Sequence, residues 1–205
     1  GAGRDARRRN PGQIRLIGDH QVHNALTALQ AATAWRGLST EPERLVSHEA
    51  DAMLEGIARV AWPGRLEKVA TAPDLWIDVG HTPCALDAVT RTFLEFAPRE
   101  KTLVVFGVSG SKEVAAIART VAARFDHFIL TRAFKAGADV HQFEAIFRAN
   151  SADVAIASDT LAATQLARDR AARDGLTVLA VGGLFLAAEI QRAWEGGDPR
   201  EIDFL

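Results

Sequence analysis

The chain has 205 residues, 48% of them apolar and 24% charged, a balance that excludes a disordered or fibrous protein and allows a sizeable core. With 24 basic and 26 acidic side chains the net charge is −2, so nothing points to general nucleic-acid or anionic-membrane binding. A single cysteine, Cys84, excludes an intrachain disulfide and fits a reducing, cytoplasmic setting, and no apolar run approaches the roughly 20 residues of a bilayer span.

The first residues carry a basic cluster, Arg4, Arg7, Arg8 and Arg9, which reads as a solvated chain end rather than a binding arm. Because the chain starts with Gly1 and residues 1–18 hold few apolar positions, it is expected to be a piece of a longer protein. Gln13 to Ile17 alternates polar and apolar and predicts a short strand, ended by Gly18-Asp19. From Gln21 to Trp35 the spacing of Val22, Ala25, Leu26, Leu29, Ala32 and Trp35 predicts an amphipathic helix closed by Gly37. A second helix is expected over Pro42–Ala58, starting near Thr40 or Glu41, with Leu45, Val46, Ala50, Met53, Leu54 and Ile57 on its apolar face. Pro63-Gly64 breaks the pattern. A domain boundary is placed near Val60, with a helical segment over residues 1–60 and a second domain over 61–205.

Beyond Arg65 the pattern becomes one of alternating strands and helices. Strands are predicted over 66–70, 74–79, 101–108, 127–132, 153–157 and 176–182, the first two forming a pair joined by the turn Thr71-Ala72-Pro73. Helices are predicted over 84–97, 112–124, 140–149, 159–173 and 184–195. Runs such as Leu103-Val104-Val105-Phe106 and Val178-Leu179-Ala180-Val181 suit strands covered on both faces. The order implies an α/β, Rossmann-like, mostly parallel doubly wound sheet with right-handed crossovers, preceded by a short helical segment.

In such a sheet ligands sit beyond the carboxyl ends of the strands. Asp78 and His81 follow the strand Leu75-Trp76-Ile77, and Arg65, 13 positions before Asp78, reaches the same loop if its segment runs alongside. The loop Gly107–Glu113 holds Lys112, and the loop after the next strand holds Arg132 and Lys135. Four cations on one rim with Asp78 and His81 suit an anionic ligand, a nucleotide phosphate or a carboxylate. Read singly, each signal has a plainer meaning. Asp78 can cap the following helix, His81 can be a turn residue, His20 and Asn24 can be helix-terminus groups, and Gly107–Ser111 is either a turn or a phosphate contact. The loop is not GxxxxGK[ST], no cluster has metal-site spacing, no GxSxG elbow occurs, and Cys84 has only its position beside Pro83 to suggest a nucleophile.

Taken as a set, four motifs carry a resemblance: Gly18-Asp19-His20-Gln21-Val22-His23-Asn24-Ala25, Trp62-Pro63-Gly64-Arg65-Leu66-Glu67, Asp78-Val79-Gly80-His81-Thr82-Pro83 and Val181-Gly182-Gly183-Leu184-Phe185. Over residues 14–195 the chain resembles the last third of the folylpolyglutamate synthase/dihydrofolate synthase family of the Mur ligase superfamily. The resemblance implies the end of an ATP- and Mg2+-dependent amide ligase, in which a pteroate or folate carboxylate is phosphorylated and the glutamate amine attacks the acyl phosphate. In that family a central domain carries the P-loop and magnesium ligands, and the C-terminal domain closes over ATP and helps bind glutamate. The resemblance places His20 and Asn24 beside the adenine and Arg65 on the ATP phosphates. It makes Asp78 and His81 the Asp and His of an Asp-x-Ala-His-Asn-Pro motif that positions the nucleotide, and sets Lys112 in a lysine-containing loop. Residues 1–60 then correspond to the tail of the central domain.

Three positions depart from the family pattern: Gly80 stands for Ala, Thr82 for Asn and Gly183 for a frequent Ser. Without a P-loop domain the chain alone is expected to be inactive, and to be a monomer. Two alternatives remain open, another Mur-type amino-acid ligase and a free-standing Rossmann-like binding module without catalysis.

Overall fold

A computed structural model describes residues 14–39, 47–110, 113–151 and 153–204. The arginine cluster at 4 and 7–9, the helix start at 40–42, and Lys112 lie outside the described residues. The chain divides into two units, Gly1–Trp62 and Pro63–Leu205. No described helix is long and apolar enough to cross a membrane.

The first unit holds α1 (Asp19–Ser39) and α2 (Ser47–Arg59). Ile14–Ile17 is bend and coil, not the expected strand. Alternation alone does not make a strand, which also needs a partner for its backbone ladder. Helix α1 continues past Gly37 to Ser39, since one interior glycine costs only about 1 kcal/mol of helix propensity. Its apolar spacing does form a helix, but Val22, Leu26 and Trp35 stay exposed (45%, 53% and 72%) rather than making a covered face.

The second unit is a six-stranded sheet in the order β1-β2-β6-β3-β4-β5. Its strands are β1 (Glu67–Ala70), β2 (Leu75–Asp78), β3 (Thr102–Phe106), β4 (His127–Leu130), β5 (Asp153–Ile156) and β6 (Thr177–Val181). Only β1 is antiparallel, paired to β2 with Glu67 opposite Ile77; the other neighbours run parallel. All five residues of β3 are buried, which explains its unbroken apolar run.

Helices α3 (Pro83–Phe93), α4 (Val114–Ala122) and α5 (Glu144–Asn150) cover one face, packing Leu86, Phe93, Ile117, Val121 and Phe147 onto Val104, Phe106 and Phe128. Helices α6 (Thr160–Asp174) and α7 (Leu184–Trp194) cover the other with Ala163, Ala167, Ala187 and Ile190 on Val105, Ile129 and Val178. The predicted helix over 140–149 is instead a tight turn, Val140–Gln142, and then α5. The Asp139 carboxylate accepts the His141 N–H at 3.0 Å and closes that turn, while Phe143, at φ −136°, interrupts the helix.

The parallel register sets Asp78, Val181, Phe106, Leu130 and Ile156 level at one edge of the sheet. The chain leaves β6 towards α7 on one face, whereas it leaves β2 and β3, on either side of β6, towards α3 and α4 on the other. A crevice must therefore open at the carboxyl end of β6, where the connections part.

Candidate functional site

Asp78 ends β2 with 1% of its surface exposed. Its carboxylate accepts hydrogen bonds from Gly80 N at 2.6 Å and Leu66 N at 2.8 Å, so it links its own loop to the turn before β1. Val79 N donates to Gly64 O at 2.9 Å, and Gly64 N donates to the Glu67 carboxylate at 2.7 Å. Gly64 has φ 71°, and a Cβ there would lie 2.6 Å from Val79 Cγ1, so glycine is what allows the approach. Leu66, without that freedom, is held at φ 45°. Arg65 thus sits between two tethers, Gly64 and Leu66, and is carried alongside the loop that holds Asp78 and His81. Among the described residues nothing pairs with its half-buried side chain by hydrogen bond or ion pair.

Across that loop the family departures acquire physical meaning. The N-cap of α3 is Thr82, whose hydroxyl accepts the Ala85 N–H at 3.2 Å, with Pro83 opening the helix. Capping needs only a side-chain oxygen, and threonine supplies it where the family has asparagine. At Gly80 a Cβ would lie 2.9 Å from Asp78 Oδ1, so the missing side chain leaves room for the short bond between that oxygen and Gly80 N. At Gly183 there is space, a Cβ there lying 4.0 Å from His81 Cβ, but φ 156° strains any L residue. His81 is exposed and its Nδ1 donates to Val79 O at 3.3 Å.

The crevice at β6 is present as a cavity of about 240 Å³. His81 borders it from the β2 loop, Val108 and Ser109 from the β3 loop, Ile117 from α4, and Gly182 to Phe185 from the start of α7. Glycines let these loops close up. A Cβ at Gly182 would lie 2.2 Å from Gly107 O, and one at Gly107 would lie 2.6 Å from Thr131 O. The plain-turn role of Gly107 is therefore met by packing, while Val108 and Ser109 of the same loop face the cavity. Arg132 and Lys135 follow β4, three strand spacings or about 14 Å from β2, so the cationic rim is spread along the edge rather than gathered on Asp78.

In the other unit His20 and Asn24 share the first turns of α1. The buried Gln21 amide lies between them: Asn24 Nδ2 donates to Gln21 Oε1 at 3.1 Å, and Gln21 Nε2 is 3.0 Å from His20 Nε2. Sequence reasoning passed over Gln21, although it stands inside the quoted motif. It also passed over Glu189, a fully buried acid in the otherwise apolar stretch Leu184–Ile190. No group of three or more His, Cys, Asp or Glu side chains that could hold a metal occurs among the described residues.

Comparison with known proteins finds relatives in sequence and in fold. Residues 64–184 match the sequence profile described as Mur ligase, glutamate ligase domain. The chain is 33% identical over 116 residues to dihydrofolate synthase/folylpolyglutamate synthase of Mycobacterium tuberculosis, covering 57% of this chain and 23% of that protein. It is 30% identical over 183 residues to a probable bifunctional folylpolyglutamate synthase/dihydropteroate synthase of Halobacterium salinarum, covering 89% and 21%. The solved M. tuberculosis folylpolyglutamate synthase complexed with ADP and AMPPCP superposes with a TM-score of 0.71 at 27% identity, over 92% of this chain and 42% of that one. The chain thus spans between a fifth and a quarter of the length of those two relatives.

Proposed function

The chain belongs to the Mur ligase family, through its glutamate ligase domain, and from that premise we propose that it is the C-terminal portion of an ATP-dependent amide ligase that adds glutamate to a pteroate or folate carboxylate. Its relatives named as folylpolyglutamate and dihydrofolate synthases support that substrate class. The observation that carries the reading is Arg65, a guanidinium with no ion pair among the described residues, tethered on both sides to the strand end that bears Asp78 and His81.

ATP supplies the phosphoryl group that activates the acceptor carboxylate, and the residues here fit one share of holding it. Arg65 meets the phosphate oxygens and offsets the negative charge that spreads over them, a task that needs position rather than proton transfer. Asp78 spends its charge on the Leu66 and Gly80 amides and so orients Arg65 on one side and His81 on the other. With Nδ1 donating to Val79 O, His81 keeps Nε2 for the ligand side of the crevice. The family resemblance assigns His20 and Asn24, which Gln21 joins within the first unit, to the adenine, and Lys112 of the second unit to a further cationic contact. The crevice beside Ser109 and Gly182–Phe185 takes the incoming amino acid, and closing it excludes water that would hydrolyse an activated carboxylate.

The described residues do not fit a magnesium site, and the metal's ligands belong to the P-loop domain of the longer protein. Residues 1–60 are the tail of that central domain. The chain alone is a cytoplasmic monomer without ligase activity.

The test is Arg65→Ala in the full-length protein. Losing one charge-stabilising donor lowers kcat by about 10²–10³-fold, while Tm stays within about 2 °C because no structural partner is lost. Unchanged turnover would remove Arg65 from the chemistry.

A further inference from the structure

Helix α7 turns Leu186, Ala187, Ile190 and Ala193 to the sheet, all buried. Glu189 is 0% exposed among them. An acid in such surroundings is strongly unfavourable unless its oxygens are hydrogen-bonded. Here Oε1 accepts the Lys135 N–H at 2.9 Å, and Oε2 accepts the Phe134 N–H at 2.8 Å and the Thr160 hydroxyl at 2.8 Å. No ion pair reaches Glu189 among the described residues. The carboxylate grips backbone, two consecutive amides of the loop between β4 and α5.

That loop in turn holds the wall of the crevice. Ala138 N donates to Val108 O at 2.7 Å, Gly110 N donates to Ala136 O at 3.3 Å, and Ser109 bridges to Gly137. Val108 and Ser109 form one side of the cavity, and Leu184 and Phe185, at the start of the helix that carries Glu189, form another. One buried carboxylate therefore joins the two walls, through α7 to Phe185 and through the 134–138 loop to Ser109.

We propose that Glu189 is a positioning residue that sets the width of this crevice, and through it the affinity for the amino acid that the ligase adds. The choice of ligand rests on the ligase reading; the anchoring itself does not. Glu189 touches no ligand and acts only through the loop it holds.

Three variants of the full-length protein test this. Glu189→Gln keeps the shape but sets an amide NH2 against a backbone N–H, leaving one loop amide without an acceptor. Lys135→Pro deletes an N–H of the same contact from the loop side and leaves α7 untouched. Thr160→Val removes the third bond to the same carboxylate without touching the loop. In the first two, hydrogen exchange at Gly110 and Ala138 should quicken about tenfold and the KM for glutamate should rise about tenfold with kcat within about threefold. Thr160→Val should leave exchange and KM as in the wild type, whatever its Tm. Unchanged exchange in Glu189→Gln and Lys135→Pro overturns the proposal, as does an equal rise in KM in Thr160→Val, which would mark general loosening. A wild-type protein that does not ligate glutamate refutes the ligase reading instead, and the exchange measurement still decides the anchoring.

Discussion

Replacing Asp78 with asparagine should loosen the turn that carries Arg65 while leaving the arginine in the chain. The carboxylate accepts from two amides, Leu66 N and Gly80 N, both bonds being buried. Asparagine offers one oxygen, and its NH2 must face the other N–H. One buried amide left unpaired costs about 1–3 kcal/mol. Leu66 sits at φ 45°, a conformation that costs a non-glycine residue roughly 1–2 kcal/mol, and the Asp78 bond is one of the restraints that keep it there. Once that bond weakens, part of this strain relaxes and the turn drifts, so the net loss of stability falls near 2 kcal/mol. For a domain of this size that lowers Tm by roughly 6–8 °C. Asp78→Ala leaves both amides unpaired and costs about 2–6 kcal/mol. The assay is thermal unfolding followed by circular dichroism, together with turnover of the full-length protein. Asp78→Asn should lower both Tm and kcat, whereas Arg65→Ala should lower kcat alone. If Asp78→Asn melts within about 1 °C of the wild type, or if Arg65→Ala destabilises as much, the tether is not what holds the arginine.

Two further outcomes follow from the fold. Gly182→Ala would bring a Cβ within 2.2 Å of Gly107 O at a residue with φ 130°, so it should destabilise by more than about 2 kcal/mol in urea unfolding; a neutral result would mean that the loops after β3 and β6 are not closely packed. At the opposite edge of the sheet, burial pushes the Asp153 carboxyl up, but the hydrogen bonds from Arg170 (2.7 Å) and His127 (2.6 Å) outweigh it and leave its pKa below the ordinary value. A depressed carboxyl pKa stabilises the fold above the ordinary carboxylate range, and that contribution is lost as pH falls through the folded-state value. Tm measured from pH 7 down to pH 3 should therefore decline less steeply in Asp153→Asn than in the wild type, and identical slopes would discount this cluster.

Much of the second unit is legible in the chain because local pattern and burial coincide there. The run Leu103–Phe106 is apolar on both sides because α4 and α6 cover both, and the strand–turn–helix pattern of Leu75–Phe93 by itself places Asp78 and His81 at a sheet edge. The pairing of β1 with β2 likewise brings Arg65 back to that edge. Where a residue's meaning depends on distant groups, local pattern is silent. Glu189 bonds partners 54, 55 and 29 positions away, so its sequence neighbours identify only an acid in an apolar helix. Gln21 is buried by its surroundings rather than by its place in the motif. Ile14–Ile17 and the 140–149 segment fail for the opposite reason: their apolar spacing is right, but a strand partner in one case and the Asp139 cap in the other decide the backbone.

The most direct measurement is ATP-dependent transfer of radiolabelled glutamate by the full-length protein, with dihydropteroate, tetrahydrofolate and a peptidoglycan precursor offered side by side. Label should enter a pteroate or folate acceptor and, in the Arg65→Ala variant, do so far more slowly. Transfer to the peptidoglycan precursor alone, or to none of the three, would contradict a folate-type glutamate ligase.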